Sequence, residues 1–284
     1  PLVHNGIYRF TNRANSAISI AGPTSTATNQ PLVMATSNDA DAKQQWVCKR
    51  NADGTYGFNL IGTDKYISVA GNGFANGTDI YQATSGSGDD QKFYITLNTD
   101  GYITFGHKAT EGNSNYVIDL STGNSDILQW SSTGGTNQQW KPELIGITPG
   151  QKYRLLPNSG QGQALEVQGT ENLAPVKLWG WNGGANQRWT LDAVSGGFQF
   201  KTDFSPRALD ISTATGLAAL WDINGGSNQR FTLARSNGNW VRIIPGYNSG
   251  YSLEAITGAN GSDIYAKANT GGSNQLWRFA DVDG

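Results

Sequence analysis

Three residue types recur in this chain at spacings that could serve one purpose. The acid Asp119 lies eleven residues before Trp130, and Asn137 follows that tryptophan by seven. The series returns as Asp210, Trp221 and Asn228 with the same two intervals. A third version reads Glu166, Trp179 and Asn186, with thirteen residues in place of eleven. A carboxylate accepts hydrogen bonds with charged strength, a carboxamide both donates and accepts, and an indole offers a flat apolar face. Together they suit a pyranose, which has one C–H face that sheds water and neighbouring hydroxyls that need partners. An acid in mid-strand can equally face solvent, and an asparagine beside a glycine turn can equally support that turn. The coupling of the three positions is what favours a site.

The glutamines that follow these asparagines, Gln138, Gln187 and Gln229, join the candidate sugar contacts. A repeated glutamine also fits a structural role, tying its loop to backbone groups. Glu166 is one methylene longer than aspartate, so its carboxylate is expected to miss the hydroxyls or to suit another sugar. Lys177, two residues before Trp179, is a candidate compensating donor.

The elements that must position these residues repeat. "KQQW", "DQKF", "NQQW", "NQRW", "NQRF" and "NQLW" end at Trp46, Phe93, Trp140, Trp189, Phe231 and Trp277, at intervals of 47, 47, 49, 42 and 46 residues. Six copies at near-constant spacing mark a repeat architecture. Within a unit, short apolar alternations such as "KYRLLPN" and "ALEVQG" are separated by Gly, Asn and Ser, the pattern of strands and turns. Four strands per unit and three units per domain predict twelve strands per domain. An isolated hairpin is marginal, so the units must close on one another, and closure removes exposed edges.

Variation among units sorts core from site. The closing aromatics recur whatever else changes, so they belong to the core. Ten residues earlier stand Trp130, Trp179 and Trp221, but Ala83 in unit two, Lys267 in unit six, and Thr36 or Ala35 in unit one. A core position does not accept Trp, Ala and Lys alike. The acid position holds Ser19 and Ser68 in units one and two and Glu254 in unit six; the asparagine position holds Lys43, Asp90 and Asn274. Units three, four and five are therefore the candidate sites, and unit six is expected to be inactive for want of a ring. Trp181 either extends the platform of Trp179 or covers the Gly183-Gly184 turn.

The chain has 284 residues, with 37% hydrophobic, 15% charged and 11% aromatic residues, 37 glycines and a net charge of −2. That suits a loop-rich all-β protein. No basic cluster would attract nucleic acid, and no apolar run approaches the roughly 20 residues of a membrane span. His4, His107 and the single Cys48 fall in no catalytic or metal-binding motif, so neither an enzyme nor a cofactor or metal is expected. The lone cysteine and the lack of an apolar leader favour cytoplasmic synthesis. The sequons at Asn76 and Asn260 leave secretion or release open.

The six Gln-x-aromatic units resemble the ricin-B-type lectin family over nearly the whole chain, as two tandem domains of 1–146 and 147–284. The resemblance implies two β-trefoils of the kind found in cytosolic fungal or bacterial lectins. It also implies acid bonded to adjacent hydroxyls, aromatic under the ring and asparagine to a hydroxyl. The expected function is a multivalent lectin for galactose- or N-acetylgalactosamine-type glycans of glycoproteins or glycolipids, a defence or toxin-associated agglutinin without membrane insertion. The competing expectation is a β-trefoil protease inhibitor acting through surface loops.

Overall fold

The computed structural model describes residues 2–108, 115–160, 162–236 and 238–283. Among these residues all regular structure is β-strand or three-residue 3-10 turn, with no α-helix, and no helix is long and apolar enough to cross a membrane. The chain divides into two compact units between Thr148 and Pro149, two residues beyond the expected boundary. The reason is local. The strand Trp140–Ile147 pairs along its length with Gly6–Asn12, and the Thr148 N–H donates to the Asn5 carbonyl at 3.1 Å.

Each unit is a closed six-stranded ring with hairpins attached. In the first unit Gly6–Asn12 pairs with Trp46–Arg50, which pairs with Tyr56–Leu60, and so on through Phe93–Leu97, Ile103–His107 and Trp140–Ile147 back to the start. In the second unit the ring runs through Lys152–Pro157, Trp189–Val194, Gly197–Thr202, Phe231–Arg235, Val241–Pro245 and Trp277–Ala280. Each repeat adds one hairpin outside the ring; Tyr116–Leu120 with Ile127–Ser131 is that of the third. The fourth and fifth contribute Gln163–Val167 with Val176–Gly180, and Ala208–Ile211 with Ala218–Trp221. Three repeats, each giving two ring strands and a hairpin, make a β-trefoil. Twelve strands follow in the second unit; the first has a thirteenth, the two-residue Gln30–Pro31 against Thr78–Thr84.

The ring interior explains the invariant aromatics. Trp46, Phe93, Trp140, Trp189, Phe231 and Trp277 are fully buried. At the centre of the first ring Phe10, Phe58 and Phe105, one from each repeat, meet edge to face at 5.0–5.3 Å, the arrangement favoured by aromatic quadrupoles. Leu155, Phe200 and Ile243 take the corresponding places in the second ring, all buried.

Candidate functional site

Repeats three to six carry their asparagine and glutamine on a 3-10 turn, and the closing aromatic follows the glutamine by two residues. The turns are Thr136–Gln138, Ala185–Gln187 and Ser227–Gln229 in repeats three, four and five. In the third repeat the buried Gln138 donates through Nε2 to Asp119 Oδ2 at 2.8 Å and to the Ser131 carbonyl at 2.9 Å, and its Oε1 accepts the Thr133 N–H at 2.8 Å. Asn137 Nδ2 donates to the same Oδ2 at 3.0 Å and to the Leu120 carbonyl at 3.2 Å. Two amides thus hold one carboxylate oxygen, and Oδ1 has no partner among the described residues. Asp119 lines a cavity of about 250 Å³ with Ser121, Thr122, Leu128, Trp130, Thr133 and Asn137. Burial raises the Asp119 pKa, and the hydrogen bonds from Gln138 and Asn137 oppose the rise.

The fifth repeat reproduces this geometry. Gln229 and Asn228 each donate to Asp210 Oδ2 at 2.9 Å, and burial again raises the acid's pKa against the pull of those two amides. The platform tryptophans Trp130, Trp179 and Trp221 are 40%, 40% and 37% exposed, whereas the closing aromatics are at 0%.

The closing tryptophans also position the acids. Trp140 Nε1 donates to the Ile118 carbonyl at 3.1 Å, and Trp189 and Trp277 donate to those of Leu165 and Leu253 at 2.9 Å. In each case the acid is the next residue. The core ring therefore pins the strand whose neighbouring side chain faces the site.

A family model described as ricin-type beta-trefoil lectin domain-like matches residues 2–83, 42–124 and 89–179, and a second, ricin-type beta-trefoil lectin domain, matches residues 152–277. The chain belongs to the ricin-type β-trefoil lectin family. Domains of this family are carbohydrate-binding modules. No curated protein matches the chain in sequence. Among solved structures it is similar to a mosquitocidal holotoxin, at 18% identity and a TM-score of 0.47, over 99% of this chain and 35% of that one. It thus spans about a third of the holotoxin's length. It is also similar to the designed three-fold symmetric protein ThreeFoil, at 27% identity over 46% of this chain and 98% of that one, TM-score 0.43. A ricin B-like lectin of Macrolepiota procera, solved with lactose, matches at 17% identity over 50% of this chain and 97% of that one, TM-score 0.42.

Within this lectin fold the repeats differ in ways that correct the sequence reading. Asp119 pairs in register with Leu128, Asp210 with Ala219 and Glu166 with Lys177, in each case two residues before the platform tryptophan. The two extra residues of the fourth repeat therefore lie in its hairpin turn, and Glu166 occupies the same ladder position as the aspartates. Its longer side chain changes the bonding instead. Oε2 accepts from Gln187 at 2.9 Å and Oε1 from Gln168 at 3.4 Å, while Asn186 bonds the Val167 carbonyl at 3.3 Å and not the acid. The Lys177 ammonium is paired with Asp263 at 2.5 Å, so it is already engaged by a side chain of another repeat. Gln138, Gln187 and Gln229 are buried beneath the acids, so they orient the carboxylates from behind and do not face a ligand.

The first repeat is offset from the register its spacing predicts. Trp46 Nε1 donates to the Ile20 carbonyl at 3.1 Å, which makes Ala21, not Ser19, the acid position. Gln44 Nε2 donates to the Thr36 carbonyl at 2.8 Å, which makes Ala35 the platform position. Ser19 instead accepts from Arg9 and bonds Ser37. In the second repeat Ser68 donates to Asp90 Oδ2 at 2.6 Å, so the acid has moved to the asparagine position. In the sixth, Glu254 accepts from Gln275 at 3.0 Å and lies 3.6 Å from the Lys267 ammonium, which stands where a ring would be. The Arg154 guanidinium lies over the Trp181 ring at 4.8 Å, so one face of that indole is taken by the protein itself. Among the described residues no three His, Cys, Asp or Glu side chains converge as a metal site.

One repeated position escaped the sequence reading. Asn76 Oδ1 accepts the Ser131 N–H at 2.7 Å, and Asn172 Oδ1 accepts the Asp222 N–H at 2.8 Å. Each anchors, from a neighbouring repeat, the residue that follows a platform tryptophan. The signal was present: Asn76, Asn172 and Asn260 all stand seven residues before the platform position of their own repeat.

Proposed function

We propose that the chain is a multivalent lectin for galactose- or N-acetylgalactosamine-type glycans of glycoproteins or glycolipids, serving as a defence or toxin-associated agglutinin without enzymatic activity. The observation that carries this reading is the paired geometry of repeats three and five. In both, two amides fix one oxygen of a carboxylate beside a half-exposed indole. The other oxygen accepts from adjacent hydroxyls of the sugar, the asparagine meets a further hydroxyl, and the indole takes the C–H face. Galactose suits the set because its axial hydroxyl leaves a continuous apolar patch on one face. Repeat four, with Glu166 and Trp179, supplies a third site of altered acid geometry.

A shallow site of this kind binds a monosaccharide at about millimolar Kd, near −4 kcal/mol. Several sites on one chain add about 100-fold or more in avidity on a glycan-rich surface. Calorimetry with galactose and N-acetylgalactosamine should give weak binding at two to three sites per chain, and the protein should agglutinate cells until free sugar reaches high concentration. No heat with any galactoside, together with tight inhibition of a protease, would overturn the lectin reading.

A further inference from the structure

The platform tryptophans of the three sites differ in what lies beside them. In the third repeat the neighbour is Gly77, whose N–H donates to the Gln129 carbonyl at 2.9 Å, one residue before Trp130. In the fourth it is Gly261, donating to the Leu178 carbonyl at 2.8 Å, one residue before Trp179. In the fifth it is Leu173, donating to the Leu220 carbonyl at 2.9 Å, one residue before Trp221. All three are left-handed, with φ of +84°, +81° and +69°. The pairings Gln129 with Thr78, Lys177 with Asp263 and Ala219 with Pro175 put each of the three directly across from its tryptophan. A β-carbon placed on Gly77 or Gly261 would lie 3.9 Å from Cζ3 of the facing indole. At the fifth repeat that β-carbon exists.

Leucine is out of place there on two counts. The left-handed region disfavours side chains, bulky ones above all, and glycine fills it at the other two sites. Leu173 is also 69% exposed, the most exposed large hydrophobic residue among those described, so its burial in the core does not explain it. We infer that Leu173, from repeat four, forms with Trp221, from repeat five, an apolar subsite that holds a methyl substituent of the bound sugar. The subsite rests on the carbohydrate reading of the Asp210 site. The shared chemistry is a methyl group projecting past the edge of the stacked ring. Two sugar classes supply it: the acetamido group of an N-acetylhexosamine and the C6 methyl of a 6-deoxyhexose. The sites of repeats three and four have glycine at this place and lack the apolar wall, so the chain's sites differ in selectivity.

The test uses the full chain carrying Trp130→Ala and Trp179→Ala, which leaves the fifth-repeat site, with and without Leu173→Gly. Galactose, N-acetylgalactosamine and D-fucose, the 6-deoxy sugar of the same configuration as galactose, are titrated separately by NMR, with the Trp221 indole N–H as reporter. Glycine suits the left-handed backbone, so Leu173→Gly should fold with an unchanged or higher Tm. The expected result is that one methyl-bearing sugar binds about fourfold tighter than galactose, the worth of one methyl group taken out of water. The preference should vanish in Leu173→Gly, with galactose affinity held. Which of the two sugars gains identifies the source of the methyl. If galactose binds but neither methyl-bearing sugar is preferred, or if the preference survives Leu173→Gly, the subsite is wrong while the lectin reading stands. If none of the three sugars shifts the Trp221 signal, both fall together.

Discussion

Replacing Trp189 and Trp221 by alanine, one at a time, separates the two kinds of tryptophan. Trp189 is fully buried and its indole N–H bonds the Leu165 carbonyl at 2.9 Å. Trp189→Ala leaves a large cavity in the ring, at about 3–5 kcal/mol, and strands a buried carbonyl, at about 1–3 kcal/mol more if no water reaches it. A unit of this size loses about 3 °C of Tm per kcal/mol. A fall on the order of 10 °C or more follows for the second unit. Trp221 is 37% exposed on an outer hairpin. Its removal lets water fill the space, so only the transfer share is lost, about 1–2 kcal/mol. Calorimetric melting of both variants measures the stability difference, and sugar titration counts the sites. Trp189→Ala should be the unstable protein; Trp221→Ala should melt only about 3–6 °C below wild type and bind one fewer sugar. If the two variants lose equal stability, or if Trp221→Ala binds the full number of sugars, the assignment of core and platform is refuted.

Sugar binding at repeats three and five should weaken on acidification. Burial raises Asp119 and Asp210 above the ordinary carboxylate value of 3.8, so each takes up a proton sooner than a free carboxylate and loses charged acceptor strength. Affinity should be full near neutral pH and fall through the raised pKa, measurable by titrating galactose from pH about 7 to about 4. For stability the sign is opposite. A raised folded pKa favours folding fully below the unfolded value, and that contribution is lost as pH rises through the folded one; melting of Asp119→Asn against wild type across this range reads it. Lys177→Ala should leave all sugar affinities within about twofold and lower stability by about 1 kcal/mol or less, as for a partly exposed ion pair. A loss of sugar affinity at the fourth repeat alone would return Lys177 to the binding set.

Sequence by itself determined the architecture of this protein, because the six closing aromatics sit where a ring interior demands a large apolar side chain in every repeat. It also determined which of the indoles face outward: a position that holds Trp130, Ala83 and Lys267 in different repeats cannot be core. Tertiary structure decided what no spacing reveals. Glu166 shares the ladder position of Asp119 because its extra residues bulge into a turn, and separation along the chain does not distinguish a longer turn from a shifted strand. Ala21 replaced Ser19 because only the hydrogen bond from Trp46 fixes which residue of that strand faces the site. Spacing offers Lys177 as a candidate donor and cannot show its ion pair, because the partner, Asp263, lies 86 residues away. The pairing of Leu173 with Trp221 belongs to the same class. Gly77, Leu173 and Gly261 each stand six residues before the platform position of their own repeat, but only ring closure decides which other repeat's tryptophan each one faces.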